Sequence, residues 1–218
     1  MIEWSRIETV LLDMDGTLLD LYFDNYFWQE YLPVYWGKRH GLDAESAKRE
    51  LLPRFRSREG TLSWSCLEYW TNELGIDVLK LKSDVEDLIQ VRPHALEFLN
   101  AVKNSGRKTA MVTNAHRDLI RLKLSRTGIG AYFEQIVSAH DLGTPKEHVA
   151  FWSKLHDRLP YSGATTLLVD DNLTVLRAAR EYGIAYLYTI AKPDSRAPVR
   201  DSGEFMPIES FREVLPAI

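Results

Sequence analysis

The sequence predicts an α/β protein in which helices cover a parallel sheet and a block of helices is inserted after the first strand. Three observations predict this fold. Short apolar runs alternate with helical stretches over the second half of the chain, as in βαβ units. One further apolar run, residues 9–12, lies near the N-terminus. Between these parts, residues 19–91 show helical periodicity and no convincing strand.

Composition and charge limit the class of protein. A chain of 218 residues suits one domain with an insert, because a domain averages about 150 residues. Its 27 basic and 31 acidic residues give a net charge of −4, which disfavours nucleic acid polymers and anionic membranes as partners. The N-terminus lacks the pattern of a signal peptide, and no apolar run is long enough to span a membrane, so we expect a cytoplasmic protein. Cys66 is the only cysteine, which excludes an intrachain disulfide and a cysteine-cluster zinc site.

The first strand and the insert have identifiable ends. The apolar run 9–12 stops at turn residues in Asp13-Met14-Asp15-Gly16-Thr17. In the insert, Asp43 is a candidate N-cap for a helix over residues 44–52. Large apolar residues recur at steps of three or four over residues 64–74, which predicts one helix that ends at Gly75.

The second half of the chain alternates in a regular way. Pro93 is expected in the first turn of a helix that ends before Gly106. Predicted helices lie around residues 119–124, after Lys146 and around residues 176–179, and the tail after Ile190 is expected to be irregular before a short helix near residues 211–215. The predicted strands are residues 109–112, 136–137, 166–169 and 185–188.

Polar residues follow the apolar runs at the points where the predicted strands end. The carboxyl ends of parallel strands meet at one edge of the sheet, where open α/β folds bind their ligands. Four carboxylates, one lysine and two small polar residues are therefore expected to converge there. These residues are Asp13, Asp15, Thr113, Asn114, Lys146, Asp170 and Asp171.

This set of side chains favours a particular chemistry. Four neighbouring carboxylates repel one another, and Lys146 alone cannot balance them. All-oxygen ligation suits Mg²⁺, which keeps several waters and often binds together with a phosphate group. One carboxylate of Asp13 and Asp15 can attack phosphorus, and the other can protonate the leaving oxygen.

Four segments resemble the motifs of the haloacid dehalogenase-like (HAD) hydrolases, in the order in which that family has them. Asp13-Met14-Asp15-Gly16-Thr17-Leu18 is similar to the first motif and Thr113-Asn114 to the second. Lys146 resembles the third motif, and Asp170-Asp171 the fourth. The resemblance implies a Rossmann-like three-layer core over residues 1–18 and 92–218, with a small all-helical cap over residues 19–91.

The resemblance also implies roles for individual residues. Asp13 would be the nucleophile and a Mg²⁺ ligand, and Asp15 the general acid and base, with its carbonyl on the metal. Thr113 and Asn114 would bind phosphate, and Lys146 would neutralise the nucleophile and the phosphate. Asp171 would be the main acidic metal ligand of the fourth motif, with Asp170 beside it.

Two positions depart from the family pattern. Many relatives have a further aspartate four residues after the metal ligand, where this chain has Val175. Many also have Lys-Pro in the third motif, where this chain has Pro145-Lys146-Glu147. Both departures concern the surroundings of the metal, and neither removes a group that the chemistry needs.

Further segments resemble the bacterial GMP/IMP nucleotidases within the family, namely residues 11–21 and 23–28, Thr113-Asn114-Ala115-His116 and Pro145-Lys146-Glu147. The resemblance implies a Mg²⁺-dependent purine 5′-nucleotidase whose partner is a small phosphate ester. A sugar-phosphate phosphatase or phosphomutase would use the same core, so that alternative stays open. Dehalogenation, a phospho-acceptor module and an inactive scaffold are less favoured.

Three other groups of residues are expected to be structural. The aromatic run 22–28 is more typical of an insert core than of a base-stacking site. Arg54, Arg56 and Arg58 are expected on a solvated face, with substrate contact as the less favoured alternative. His116 is expected beside the site rather than in the chemistry.

Overall fold

A computed structural model describes residues 2–216, and these form a sheet of six parallel strands in the order β3-β2-β1-β4-β5-β6. Met1, Ala217 and Ile218 fall within the predicted core domain, residues 1–18 and 92–218, but lie outside the described residues. The strands are β1 (Thr9–Leu12), β2 (Lys108–Thr113), β3 (Gln135–Ser138), β4 (Thr166–Val169), β5 (Tyr186–Ile190) and β6 (Met206–Ile208).

The first strand of the chain lies in the middle of the sheet. It pairs in parallel with β2 on one side and with β4 on the other, so that Leu12 is opposite both Met111 and Val169. This central position brings the residues after β1 next to the residues after β2 and β4. The predicted α/β fold with a parallel sheet is confirmed.

The edge strand β6 was not expected from the sequence, which predicts an irregular tail there. Pro207 lies within this three-residue strand. Proline cannot donate a ladder hydrogen bond and is therefore confined to sheet edges, which is where β6 lies. The prediction for this part of the tail was wrong, because an edge strand of this length has too little apolar pattern to be recognised.

Helices follow the order α1 to α11 along the chain, and a π-helical segment, Phe27–Tyr31, joins the first two. The helices between β1 and β2 are α1 (Tyr22–Tyr26), α2 (Leu32–His40), α3 (Ala44–Arg56), α4 (Leu62–Ser65), α5 (Leu67–Leu74), α6 (Val78–Ser83) and α7 (Ala95–Asn104). The later helices are α8 (Arg117–Thr127), α9 (Ala139–Leu142), α10 (Val149–Arg158) and α11 (Leu173–Tyr182).

Alternation along the strands gives the sheet two apolar faces. Val10 and Leu12 point into a core shared with α7 and α8, and this core continues among the helices of the insert. Leu11 points into a second core, formed with α10 and α11. Helices therefore lie on both faces of the sheet, which gives the three layers that the resemblance implied.

The two ends of the helical insert lie side by side. The backbone N–H of Arg92 donates to the carbonyl of Leu18 at 2.9 Å, and the N–H of Asp20 donates to the carbonyl of Gln90 at 2.9 Å. An isolated antiparallel bridge joins Leu19 to Val91. The chain thus leaves the sheet and returns to it through paired backbone segments.

Helix ends test the predictions in detail. Asp43 caps α3 as predicted, with its side chain accepting from the N–H of Ser46. Two predictions were wrong: Pro93 precedes the N-cap His94 of α7, and the expected single helix over residues 64–74 is broken at Cys66. The extended backbone of Cys66, with φ −83° and ψ 114°, lets its sulfur accept from the N–H of Tyr69 and start α5.

In residues 2–216, no helix combines the length and the apolar character that crossing a bilayer requires.

Candidate active site

Asp13 lies one residue beyond the central strand, and Lys146 reaches it from the loop before α10. The Lys146 Nζ donates to Asp13 Oδ1 at 2.5 Å, to Asp170 Oδ2 at 2.6 Å and to the carbonyl of Val112 at 3.1 Å. Burial opposes the charge on Lys146, but the two carboxylates outweigh burial and hold the pKa of the lysine above its usual value. Lys146 is therefore a fixed positive charge between two acids.

The backbone of the Lys146 loop is fixed by the residues around it. The N–H of Lys146 donates to Asn114 Oδ1 at 3.0 Å, and the Asn114 amide donates to Glu147 Oε2 at 2.9 Å. The other oxygen of Glu147 accepts from the amide of Asn172 at 3.2 Å. The departure from the family pattern at Glu147 thus links the loops after β2 and β4 to the lysine loop.

Thr113 ends β2 and is buried beside this loop. Its Oγ1 accepts from the N–H of Ala115 at 3.0 Å, so its hydroxyl proton is left to donate to a ligand. Both Thr113 and Asn114 line the cavity described below. The structure therefore brings the second-motif residues to the same sheet edge as Asp13 and Lys146.

Three carboxylates gather around the end of β1. Oxygens of Asp13, Asp170 and Asp171 lie within 4.8 Å of one another. Burial raises the pKa of Asp13 to about 6, although Lys146 acts in the opposite direction. Burial also raises the pKa values of Asp170 and Asp171, and the charge of Asp13 raises that of Asp171 further. The single charge of Lys146 therefore does not neutralise the three carboxylates.

The donor set fits a divalent cation. The three carboxylates and the buried Lys146 carry a net charge of −2, which a single M²⁺ would balance, while Arg200 reaches Asp171 only from an exposed position. Oxygen-only ligation favours Mg²⁺. One oxygen of Asp170 accepts a hydrogen bond from Lys146, and the other accepts one from the N–H of Asn172. Among the described residues, the carboxylate of Asp171 has only a 3.4 Å contact, with Arg200. Asp171 is therefore the better placed ligand of the two, together with Asp13.

Gly16 allows the loop after β1 to come close to Asp171. Its φ of +81° lies in the left-handed region, and a Cβ there would lie 2.6 Å from Asp171 Oδ2. Any side chain at this position would displace the carboxylate. The glycine thus supports the approach of Asp171 to Asp13.

Asp15 is held by a second buried lysine, Lys123, which was not predicted from the sequence. Lys123 Nζ donates to Asp15 Oδ1 at 2.6 Å and to Asp24 Oδ2 at 2.5 Å, and Lys82 Nζ donates to Asp24 Oδ1 at 2.7 Å. Burial raises the pKa of Asp15 to about 6, and the charges of Asp24 and Asp13 act in the same direction, whereas Lys123 opposes them.

The periodicity of two helices contained a signal for these lysines. Lys123 follows Leu119 and Ile120 at steps of four and three on α8, and Lys82 follows Val78 at a step of four on α6. Both positions lie on the apolar stripe of their helix, where a lysine is unusual and is buried only when it is paired. A lysine on such a stripe predicts a buried partner, but not which residue the partner is.

A cavity of about 460 Å³ opens above these acids, which is within the range of about 300–1,000 Å³ typical of small-molecule sites. Residues of both the sheet edge and the insert line the cavity.

The insert contributes aromatic and charged side chains to the cavity wall. Phe23 and Phe27 are buried in the insert as predicted, but Trp28 reaches the cavity. Arg56 is exposed as expected, but it also lines the cavity, unlike its neighbours Arg54 and Arg58. The other insert residues on the cavity include Asn25, Gln29, Leu52, Phe55, Glu59, Trp64, Ser65 and Leu67.

Two contacts join the insert to the segments that follow β2 and β3. His116 Nε2 lies 2.9 Å from Glu68 Oε2, and His140 Nε2 lies 3.0 Å from Ser65 Oγ. His116 also caps α8 through its Nδ1, which accepts from the N–H of Asp118. His116 thus lies beside the site, at the border of the insert, and contacts Glu68 and the start of α8.

The fold, the buried acidic cluster and the cavity are those of an α/β protein with a candidate cation-binding centre, and comparison with known proteins supplies the family. Residues 7–183 match the family of haloacid dehalogenase-like hydrolases. The chain belongs to this family and is an enzyme, which confirms the sequence-based prediction.

Two curated relatives show the similarity in sequence. The GMP/IMP nucleotidase YrfG of Escherichia coli is 35% identical over 217 residues, covering 100% of this chain and 98% of the relative. The pyrophosphatase PpaX of Bacillus velezensis is 25% identical over 190 residues, covering 82% of this chain and 81% of the relative. The predicted resemblance to the GMP/IMP nucleotidases is therefore confirmed.

Solved structures show the same fold. A HAD phosphatase from Thermococcus onnurineus superposes with a TM-score of 0.78 at 20% identity, covering 95% of this chain and 96% of that one. A putative beta-phosphoglucomutase from Thermotoga maritima has a TM-score of 0.66 at 22% identity, covering 96% and 97%. These likenesses concern the architecture alone.

Proposed function

We propose that the chain is a Mg²⁺-dependent phosphomonoester hydrolase that acts through an aspartyl-phosphate, with a purine 5′-nucleotide as substrate. The observation that carries the proposal is the buried contact of Lys146 with Asp13 and Asp170, beneath a cavity lined by Thr113 and Asn114. Residues 1–18 and 92–218 would form the catalytic core, and residues 19–91 the cap.

In the first step a carboxylate oxygen of Asp13 attacks phosphorus while the bond between phosphorus and the ester oxygen breaks. The proton of Asp15 moves to the leaving oxygen, so that the alcohol departs neutral. Lys146 reduces the repulsion between the anionic nucleophile and the anionic ester, because its charge is held 2.5 Å from Asp13. Thr113 and Asn114 would donate to the phosphate oxygens.

In the second step water attacks the phosphorus of the aspartyl-phosphate, and Asp13 leaves as a carboxylate. Asp15, now ionised, takes the proton of that water and returns to its starting state. The raised pKa of Asp15, about 6, suits both roles, because a pKa near the working pH lets one group donate and then accept.

Mg²⁺ would be held by Asp13, Asp171 and the backbone carbonyl of Asp15, with Asp170 beside them. When bound, it supplies charge that polarises the phosphoryl oxygens. Asp170 would act chiefly by fixing Lys146, since both of its oxygens already accept hydrogen bonds.

Magnesium binding has a readout that does not depend on activity. We expect Mg²⁺ to raise the melting temperature of EDTA-treated protein, because a ligand that binds only the folded state stabilises it, by about 2.7 kcal/mol at a concentration of 100 Kd. Asp171→Asn should remove most of this shift, whereas Asp157→Asn on the surface should keep it. Unchanged melting with Mg²⁺, measured by scanning calorimetry, would exclude the metal from the proposal.

Purine selectivity rests on the 35% identity to a GMP/IMP nucleotidase and on the aromatic and polar residues of the insert that line the cavity. Trp28, Phe55 and Trp64 offer apolar surface for a base, and Arg56 and Glu59 offer a donor and an acceptor for its edge. A sugar-phosphate phosphatase or phosphomutase would need the same core without these contacts.

A substrate panel tests this part of the proposal. We expect phosphate release from GMP and IMP with kcat/KM at least about tenfold above that from glucose 6-phosphate or ribose 5-phosphate, since an occupied apolar pocket contributes about 1–3 kcal/mol. Malachite green assays with Mg²⁺ provide the measurement. Equal rates across the panel would leave a phosphatase but reject the nucleotidase.

A further inference from the structure

Two lysines are buried next to the candidate active site, and neither belongs to a family motif discussed above. The side chains of Lys82 and Lys123 are each 1% exposed. An ammonium group in the protein interior is strongly destabilising unless it is paired. Here Asp15, Lys123, Asp24 and Lys82 form a continuous chain in which negative and positive charges alternate.

This chain holds only one side of the Asp15 carboxyl group. Lys123 donates to Oδ1 at 2.6 Å, and no hydrogen bond reaches Oδ2 from any of residues 2–216. Asp15 lines the cavity together with Asp13. Oδ1 is therefore the restrained oxygen, and Oδ2 is the oxygen left to exchange a proton.

The lysine that holds Asp15 is itself held from the insert. Asp24 on α1 accepts from Lys123 at 2.5 Å and from Lys82 at 2.7 Å. Lys82 lies 4.8, 4.4 and 5.2 Å from the ring centroids of Phe23, Phe27 and Trp28, which stabilise its charge by cation–π contacts. The insert thus fixes the far end of the chain, while α8 carries Lys123.

We propose that Lys123 is a positioning residue that holds Asp15 through Oδ1 so that Oδ2 faces the leaving oxygen. Asp24 and Lys82 keep Lys123 in that place, so the insert contributes to proton transfer as well as to the cavity wall. This inference rests on the proposed phosphatase function, and it adds to that function the means by which the acid is oriented.

If Lys123 orients the general acid, the loss of kcat/KM on replacing Lys123 depends on the leaving group. An alkoxide such as the 5′-oxygen of a nucleoside needs a proton in order to leave, whereas p-nitrophenolate leaves as a stable anion. The value of kcat/KM covers the steps up to the first irreversible one, which includes cleavage of the ester bond. It therefore reports proton donation separately from the later attack of water on the aspartyl-phosphate.

The experiment compares Lys123→Met with wild type on GMP and on p-nitrophenyl phosphate. We expect kcat/KM for GMP to fall by about 10²-fold or more, the usual contribution of a general acid, and kcat/KM for p-nitrophenyl phosphate to fall by less than about threefold. Asp15→Asn should show the same pattern. Lys103→Met, which removes an exposed lysine on α7, should change neither value.

A second variant covers the case in which Lys123→Met fails to fold. Lys123→Met combined with Asp24→Asn and Lys82→Met leaves no unpaired ammonium group behind, and we expect the same dependence on the leaving group. Equal losses for both substrates would overturn the inference, because a purely structural defect does not distinguish leaving groups. Absence of phosphate release by the wild-type protein would instead refute the proposed function.

Discussion

Asp13→Asn is expected to abolish turnover while the fold stays intact. The amide nitrogen and oxygen of asparagine cannot form the acyl-phosphate, so hydrolysis through two steps is lost and activity falls by more than about 10⁴-fold. The amide oxygen can still accept from Lys146, which keeps its second partner, Asp170. Burial opposes the charge of Asp13, and Lys146 keeps the carboxylate of Asp170, so we expect the fold to survive the substitution.

Two measurements separate the loss of the nucleophile from a loss of structure. Circular dichroism should show the same unfolding temperature as wild type or a higher one. Acid-quenched wild-type protein should retain radiolabelled phosphate from its substrate, and the variant should retain none, while Asp157→Asn on the surface behaves like wild type. Labelling of the Asp13→Asn protein would identify another nucleophile.

Lys146→Met is expected to have the largest effect on stability of any substitution in the site. It leaves Asp13 and Asp170 buried without their cation, and removing one partner of a buried ion pair typically costs about 3–5 kcal/mol. Turnover should be lost as well, since no other side-chain cation pairs with Asp13 among residues 2–216. Urea unfolding gives the free energy, and Lys38→Met on the exposed face of α2 should change it by less than about 0.5 kcal/mol.

The pH dependence of this loss has a definite sign. The pKa of Asp13 is already raised to about 6 with Lys146 present, and without the lysine it rises further. A carboxyl whose pKa is higher in the folded state than in the unfolded state destabilises the fold as pH rises from the unfolded pKa to the folded one. We therefore expect a smaller loss near pH 5 than near pH 8. An equal loss at both values would show that Lys146 acts through packing rather than through charge.

The sequence predicted the strands and the convergence of the motif residues well, because these rest on local signals. An apolar run that stops at Asp13, or at Asp170, specifies both a buried strand and a polar group at its end. The rule that ligands bind at the carboxyl ends of parallel strands then brings the groups together without any knowledge of distances. Short elements were harder, as the edge strand around Pro207 and the break at Cys66 show.

The sequence by itself therefore determined the α/β fold, the family and the acids and lysine of the sheet edge. Only the tertiary structure decided which groups touch. It pairs Lys146 with Asp13 and Asp170, and Lys123 with Asp15 and Asp24. The physical reason is that burial and ion pairing depend on distance in space, and residues far apart in the chain reach these distances only when several elements pack together.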